Sequence, residues 1–328
     1  MQLLTFSLYL LSLLVVTATL LPLWRTTVWW VRLCDFPRFQ IAILAGAITI
    51  ALPLVRWPLT SLEIGLLAAV AGAALWQLSW VWRYFPGAPL QVQNAAAESV
   101  ESLGIALLTV NVLQSTRGAG RLISIIHDAD PDVVLAVETD EWWCAQLSEG
   151  LRSHYAHSVT YPLSNGYGLS LFSRLKLIEP QVRFLVDDAI PSLKTGVRLR
   201  SGAIVDVYGM HPQPPAPAQD SAERDTELLR VAREIKRSGR PSIVLGDLND
   251  VAWSNTTVEF GREGGLRDPR QGRGFFNTYP AAMPGLRYPL DYIFHTPHFT
   301  IGGMRVLPRC QSDHLPLIAK LCLNDGTG

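Results

Sequence analysis

Asn111, Glu138, His211, Asp247, Asn249, Asp291 and the pair Asp313-His314 share one property: each stands at an end of a short apolar run. Asn111 ends the first run, Glu138 the second, His211 follows the fourth, and Asp247 and Asn249 follow the fifth. Asp291 opens the sixth, and Asp313-His314 precede the seventh. Hard oxygen donors from Asn, Glu and Asp without a Cys/His quartet suit Mg²⁺ or Mn²⁺ rather than zinc. A His beside an Asp suits proton transfer to or from water. Taken singly, a strand-end Asp or Asn is usually a turn former. Repeated at the ends of six of seven such runs, these residues point to polar groups gathered on one rim of a sheet.

The elements that would position them follow from the hydrophobic pattern. Strand-like runs are Ile105–Val112, Val133–Glu138, Gly168–Phe172, Ile204–Met210, Ser242–Leu245, Leu290–Phe294 and Leu315–Leu321, rich in Val, Ile or Leu and bounded by Gly, Pro, Asp or Asn. Helical patterns fit Gly118–Asp128, Glu141–Leu151 and Ala222–Ser238, the last stopped by Gly239. Irregularly spaced strands with helices outside them suggest an α/β sandwich of two sheets. Periodicity alone leaves a doubly wound sheet open.

The segments TVNVL at 109–113, PDVVLAVE at 131–138, GLSLFSR at 168–174, VYGMHPQPP at 207–215, VLGDLND at 244–250, PLDYIF at 289–294 and SDHLPL at 312–317 resemble, in this order, the endonuclease/exonuclease/phosphatase superfamily. That group includes DNase I-like nucleases, abasic-site endonucleases, inositol polyphosphate phosphatases and neutral sphingomyelinases. The resemblance spans roughly 104–322 and departs at Val137, where the family commonly has Gln. It implies a DNase I-like four-layered α/β sandwich, two packed mixed sheets flanked by helices. It also implies Glu138 and Asp313 as metal ligands, Asn111 as a nearby metal or water-shell residue, and Mg²⁺ as cofactor with Mn²⁺ as substitute. Asp247 would orient or deprotonate the attacking water, and Asn249 would hold a phosphate oxygen. His314 would act on the phosphate or its proton with Asp291 fixing its ring, and His211 would be a second donor.

The N-terminal quarter has another composition. Residues 1–85 hold five Lys/Arg, two Asp/Glu and seven of the ten Trp, which leaves 23 basic against 26 acidic residues, a net of −3, over 86–328. Charge-free stretches cover 1–24, 39–55 and 64–82, each near the roughly 20 residues needed to cross a bilayer. We expect a bundle of three transmembrane helices at about 1–24, 39–55 and 62–82 within an anchor of residues 1–85. A linker at 86–102 and a catalytic domain at 103–328 would follow. Arg25, Arg32 and Arg38 after the first span and Arg83 after the third outnumber Arg56 between spans two and three. The positive-inside rule therefore predicts a multi-pass inner-membrane protein with a cytoplasmic domain. The four Cys show no paired spacing and are expected as free thiols.

The expected function is a membrane-anchored, metal-dependent phosphoesterase that cleaves phosphodiester, or phosphomonoester, bonds by in-line attack of water. The resemblance favours nuclease-type activity. The alternatives are a lipid or small-molecule phosphodiesterase, sphingomyelinase-like or inositol-phosphatase-like, and an inactive tethered binding domain. The partners expected are the bilayer and the phosphoester substrate; no protein partner is read from the sequence. Arg262, Arg267, Arg270, Arg273 and Arg287 suggest a basic patch. The Pro-rich tract 211–219 reads as a rigid loop bearing His211. The domain is expected to fold without residues 1–85.

Overall fold

A computed structural model of the chain describes residues 2–102, 104–217 and 220–324. Residue 1, residue 103 at the expected start of the domain, residues 218 and 219 of the Pro-rich tract, and 325–328 lie outside the described residues. The chain begins with α1 (Gln2–Leu20), the short α2 (Trp29–Arg32), α3 (Arg38–Val55), α4 (Ser61–Val81) and α5 (Ala97–Ser102). With their end turns, three helices, Gln2–Leu23, Arg38–Val55 and Ser61–Tyr84, are long and apolar enough to cross a membrane. They meet through Leu8, Val15, Ala45, Ile48, Leu52 and Val70 and leave Leu3, Leu10, Ile50, Leu54 and Leu75 exposed. Thr60 and Glu63 form a reciprocal capping box at the start of α4.

Beyond α5, eleven strands among the described residues form two mixed sheets. The first contains β1 (Gly104–Asn111), β2 (Val133–Val137), β3 (His157–Tyr161), β4 (Leu169–Ser173), β10 (Phe299–Val306) and β11 (Leu317–Leu323), in the order β10-β11-β1-β2-β4-β3. The second contains β5 (Leu177–Phe184), β6 (Pro191–Arg198), β7 (Ile204–Met210), β8 (Ser242–Asp247) and β9 (Asp291–His295), in chain order. Period-two alternation fills both faces. Leu107, Val133, Leu135, Val207, Ile243 and Leu245 meet between the sheets. Leu108, Val134 and Ala136 face α6 (Ala119–Ala129) and α7 (Glu141–Leu151), while Tyr208, Met210 and Val244 face α8 (Ala222–Ser238) and α9 (Asn255–Gly264). The result is the four-layered DNase I-like sandwich, not a single doubly wound sheet.

Register brings the polar strand ends to one edge. Asn111 pairs with Val137 in parallel β1 and β2, so Glu138 lies one residue beyond. Met210 pairs with Gly246, setting His211 beside Asp247, and Asp247 pairs with Asp291. Gly246 is required here: its φ is +141° and an added Cβ would lie 1.9 Å from the Met210 carbonyl oxygen.

The N-terminal part also packs on the sandwich. Val81 and Tyr84, at the end of the third apolar helix, are buried in the core over the second sheet with Leu228, Trp253 and Phe260. Val92, in the segment read as a linker, is buried between the sheets, and Ala95 N–H donates to the Ile301 carbonyl at 2.8 Å. The outer face of the second sheet is thus covered in part by side chains from residues 1–85.

Candidate active site

Six of the expected residues form one connected cluster. The Asn111 amide Nδ2 donates to Glu138 Oε1 at 2.7 Å and to Asp247 Oδ2 at 3.1 Å. Its own oxygen accepts from Leu113 N–H at 2.9 Å. Asn111 thus turns its nitrogen to the acidic cluster, and to serve as a metal ligand it would have to exchange the two ends of its amide. His211 Nε2 lies 4.0 Å from Glu138 Oε1 and 3.9 Å from Asp247 Oδ2. His314 bridges the other side, with Nδ1 at 2.8 Å from Asp291 Oδ2 and Nε2 at 3.5 Å from Asp247 Oδ2. Asp247, Asp291 and His314 are the compact, buried trio whose ligand atoms all lie within 4.8 Å of one another.

Asn249 and Asp313 flank this cluster. Asn249 N–H donates to Asp247 Oδ1 at 2.9 Å, and its Nδ2 donates to the Pro212 carbonyl at 2.9 Å, which leaves one amide hydrogen for a ligand. Asp313 is half-buried, and its carbonyl accepts from Ala281 N–H at 2.7 Å. Glu138 and Asn249 occupy left-handed backbone positions, at φ +64° and +53°. Such conformations in non-glycine residues concentrate where surrounding structure over-determines a functional side chain.

Burial sets the electrostatics. It pushes the Glu138 carboxyl up against the opposing Asn111 hydrogen bond, pushes the Asp247 carboxyl up and pulls the His211 imidazole down. At His314 burial also disfavours the charged ring, but Asp291 and Asp247 outweigh it and raise the group to about 10. Carboxylates flank the ring on both sides, which favours its charged form.

The donor set suits a hard cation. Glu138 and Asp313 bring partly buried carboxylates near enough for their charges to repel; Cys144, Cys310 and Cys322 are buried free thiols. Mg²⁺ or Mn²⁺ fits such oxygen donors.

Several supporting residues carried no signal of their own. Ser312 is buried and donates to the Asn111 carbonyl at 2.7 Å while accepting from His314 N–H at 3.0 Å, so it fixes Asp313 and His314 against β1. It sits inside the SDH segment and could have been found there. Tyr279 lies against His314 with ring centres 4.7 Å apart, and Tyr167 lies 5.6 Å from His211; nothing in their local sequence marks them. The arginines expected as a basic patch are divided: Arg262 is exposed beside Glu259 and Glu263. Arg270 is buried against Asp268 at 2.9 Å and under Tyr292, Arg273 bonds the Val92 carbonyl, and Arg287 bonds the Ala281 carbonyl. Trp143 is a core residue of α7, whereas Trp142 stacks with Arg117.

The fold has solved counterparts. A structure from Beutenbergia cavernae described as an endonuclease/exonuclease/phosphatase is 20% identical, covers 68% of this chain and 72% of its own, and superposes with a TM-score of 0.56. D. rerio TDP2, complexed with a single-strand DNA product, is 20% identical over 66% of this chain and 98% of its own, at a TM-score of 0.56. A Staphylococcus aureus beta toxin is 16% identical over 66% and 99%, at 0.51. No curated protein matches the chain. The model of the Endonuclease/Exonuclease/phosphatase family matches residues 108–314, a stretch that begins in β1 and ends on His314 and so encloses the whole cluster. The chain belongs to that family, whose members are hydrolases acting on phosphoester bonds.

Proposed function

We propose that the protein is a membrane-anchored, divalent-metal-dependent phosphodiesterase that directs a water at phosphorus. The observation that carries this reading is the buried Asp291–His314–Asp247 bridge, tied through Asn111 to Glu138. Asp247 Oδ2 is the group that orients the water and accepts its proton. His314, held through Nδ1 by Asp291, presents a protonated Nε2 as donor to a phosphoryl oxygen. His211 Nε2 and the remaining Asn249 amide hydrogen supply further donors. Glu138 and Asp313, with Asn111 beside them, would hold the cation. When bound, the cation would offset the charge that grows on the phosphoryl oxygens as the water attacks. The three apolar helices support residence in a membrane, and the excess of Arg after the first and third supports a cytoplasmic domain.

Nuclease-type action draws support from the family and from the DNA product bound by TDP2. A second reading, cleavage of a phosphodiester presented at the bilayer, has a specific observation in its favour: three loops that frame the site touch the anchor. Ser221 N–H bonds the Thr27 carbonyl at 3.0 Å, Trp253 Nε1 bonds the Asp35 carbonyl at 2.7 Å, and Tyr288 meets Phe36 with ring centres 5.5 Å apart. The last of these loops carries exposed Met283 and Leu286. Full-length protein in detergent, supplied with Mg²⁺, should hydrolyse bis-p-nitrophenyl phosphate. Parallel reactions with single-stranded DNA and with phosphodiester lipids in mixed micelles then separate the two readings. Absence of turnover on all three would remove the proposal.

A further inference from the structure

We infer that Arg32, in the loop between the first two apolar helices, is a positioning residue for the turn Asp247–Asp250, so that the anchor completes the site. The inference rests on the hydrolytic reading of that turn. Arg32 Nη2 donates to Asp250 Oδ2 at 2.9 Å and to Thr256 Oγ1 at 2.6 Å. The side chains of Arg32 and Asp250 are 9% and 3% exposed. The same Asp250 oxygen accepts from Ser254 Oγ at 2.8 Å and lies 3.1 Å from Arg224 Nη2. Arg224 in turn donates through Nη1 to the Asn249 carbonyl at 2.8 Å, and Tyr292 Oη donates to the Asp250 carbonyl at 2.7 Å. Asp225 completes a ring of two guanidinium groups and two carboxylates, 3.1 Å from Arg224 and 3.8 Å from Arg32.

This network is balanced only while Arg32 is present. Without it, two carboxylates face Arg224 alone, and Arg224 is also the group that holds the Asn249 carbonyl. Asn249 needs that hold, because its backbone is left-handed at φ +53° and its N–H caps Asp247 Oδ1. Drawing Arg224 toward the freed carboxylates would loosen Asn249 and, through it, the orientation of Asp247. Among the described residues, Arg32 is the side chain from the first 85 that hydrogen-bonds Asp250, while the Asp35 carboxylate faces Asp250 through like charge alone. Buried charge-assisted hydrogen bonds fix geometry in this way, and displacement of a reacting group by about 1 Å can cost roughly 10²-fold in rate.

The test uses full-length protein in detergent with Mg²⁺ and bis-p-nitrophenyl phosphate, a soluble substrate that needs no delivery from a membrane. Arg32→Gln should lower kcat by about 10-fold or more with KM within roughly twofold, and should speed amide exchange across residues 248–254. Arg32→Lys, which keeps the charge, should recover most of both effects. In an Asp250→Asn background, Arg32→Gln should add little, since the two act through one contact. Wild-type kcat together with unchanged exchange in Arg32→Gln would overturn the inference, as would multiplicative losses in the double variant or a change in KM alone. If Arg32→Gln lacks a cooperative melt, the lysine variant decides. A partial kcat loss that vanishes in the Asp250→Asn background supports positioning; a loss that persists there refutes it. Should the wild type prove inactive on every phosphodiester, the hydrolytic reading falls, while exchange at 248–254 still decides whether Arg32 orders the turn.

Discussion

Replacing Asp291 by Asn tests the Asp–His bridge at the point where it is most isolated. Asp291 is fully buried and uses one carboxylate oxygen, Oδ2, to hold His314 Nδ1 at 2.8 Å; its other oxygen has no partner among the described residues. Asparagine keeps the size and can keep a neutral hydrogen bond, so the change removes the charge and little else. A charge-assisted hydrogen bond contributes about 1.5–3 kcal/mol, which at 1.36 kcal/mol per decade corresponds to a turnover loss of about 10- to 150-fold. His314→Ala removes the donor itself and should cost roughly 10² to 10⁴. The double variant should be no slower than His314→Ala, because an orienting carboxylate has nothing left to orient. Initial rates on bis-p-nitrophenyl phosphate at saturating Mg²⁺, with circular dichroism as a check of folding, give the comparison. If the two losses multiply, or if Asp291→Asn turns over like wild type with metal bound, the bridge is not the catalytic unit.

Other consequences follow from the same geometry. His314 is raised to about 10 from the usual 6.5, so its proton stabilises the metal-free fold fully below pH 6.5 and that contribution is lost as pH rises through about 10. Thermal melts of metal-free protein should show this alkaline decline, and Asp291→Asn should flatten it; an equal decline in both would exclude His314 as the source. A fragment of residues 99–328 lacks Val81, Tyr84 and Val92 from two cores. At about 1.5–3 kcal/mol per buried side chain, that loss rivals the roughly 5–15 kcal/mol stability of a whole domain. The fragment should be insoluble or melt without cooperativity, and a sharp melt close to that of the full chain would contradict the packing. For sidedness, a C-terminal fluorescent-protein fusion should be bright and an alkaline phosphatase fusion inactive; the opposite pair would place the domain outside the cytoplasm.

The sequence carried the strand runs that end in chemistry more clearly than those that do not. Ile204–Met210 coincides with β7, and β1, β2, β4, β8, β9 and β11 lie within two residues or so of the expected bounds at most ends. All but β9 are inner strands of their sheets, and β9, though at an edge, is buried as they are, so they read as continuous apolar runs. By contrast β3, β5, β6 and β10 were not anticipated. β5 has the exposed pair Glu179-Pro180 at a register shift, and β10 has Gly302-Gly303 at another; edge strands and bulges dilute the pattern that marks a strand. The site residues were legible through their motifs, but their mutual contacts were not. Nothing in TVNVL says which end of the Asn111 amide faces Glu138, and nothing in the loop Arg25–Arg38 says that Arg32 is buried against Asp250. That burial bears on the orientation argument too, since Arg32 and Arg38 are both neutralised by carboxylates, leaving Arg25 and Arg83 as the cations with no carboxylate partner among the described residues.

The central claim is metal-assisted hydrolysis organised by Asp247, and one measurement reaches it directly. Full-length protein, stripped with EDTA and dialysed, is titrated with Mg²⁺ while hydrolysis of bis-p-nitrophenyl phosphate is followed, for the wild type and for Asp247→Asn. The account predicts no turnover without the cation, saturable recovery with Mg²⁺ or Mn²⁺ in the wild type, and a plateau lower by roughly 10² or more in Asp247→Asn with little change in KM. Full turnover after exhaustive chelation, or an Asp247→Asn plateau equal to that of the wild type, would contradict it.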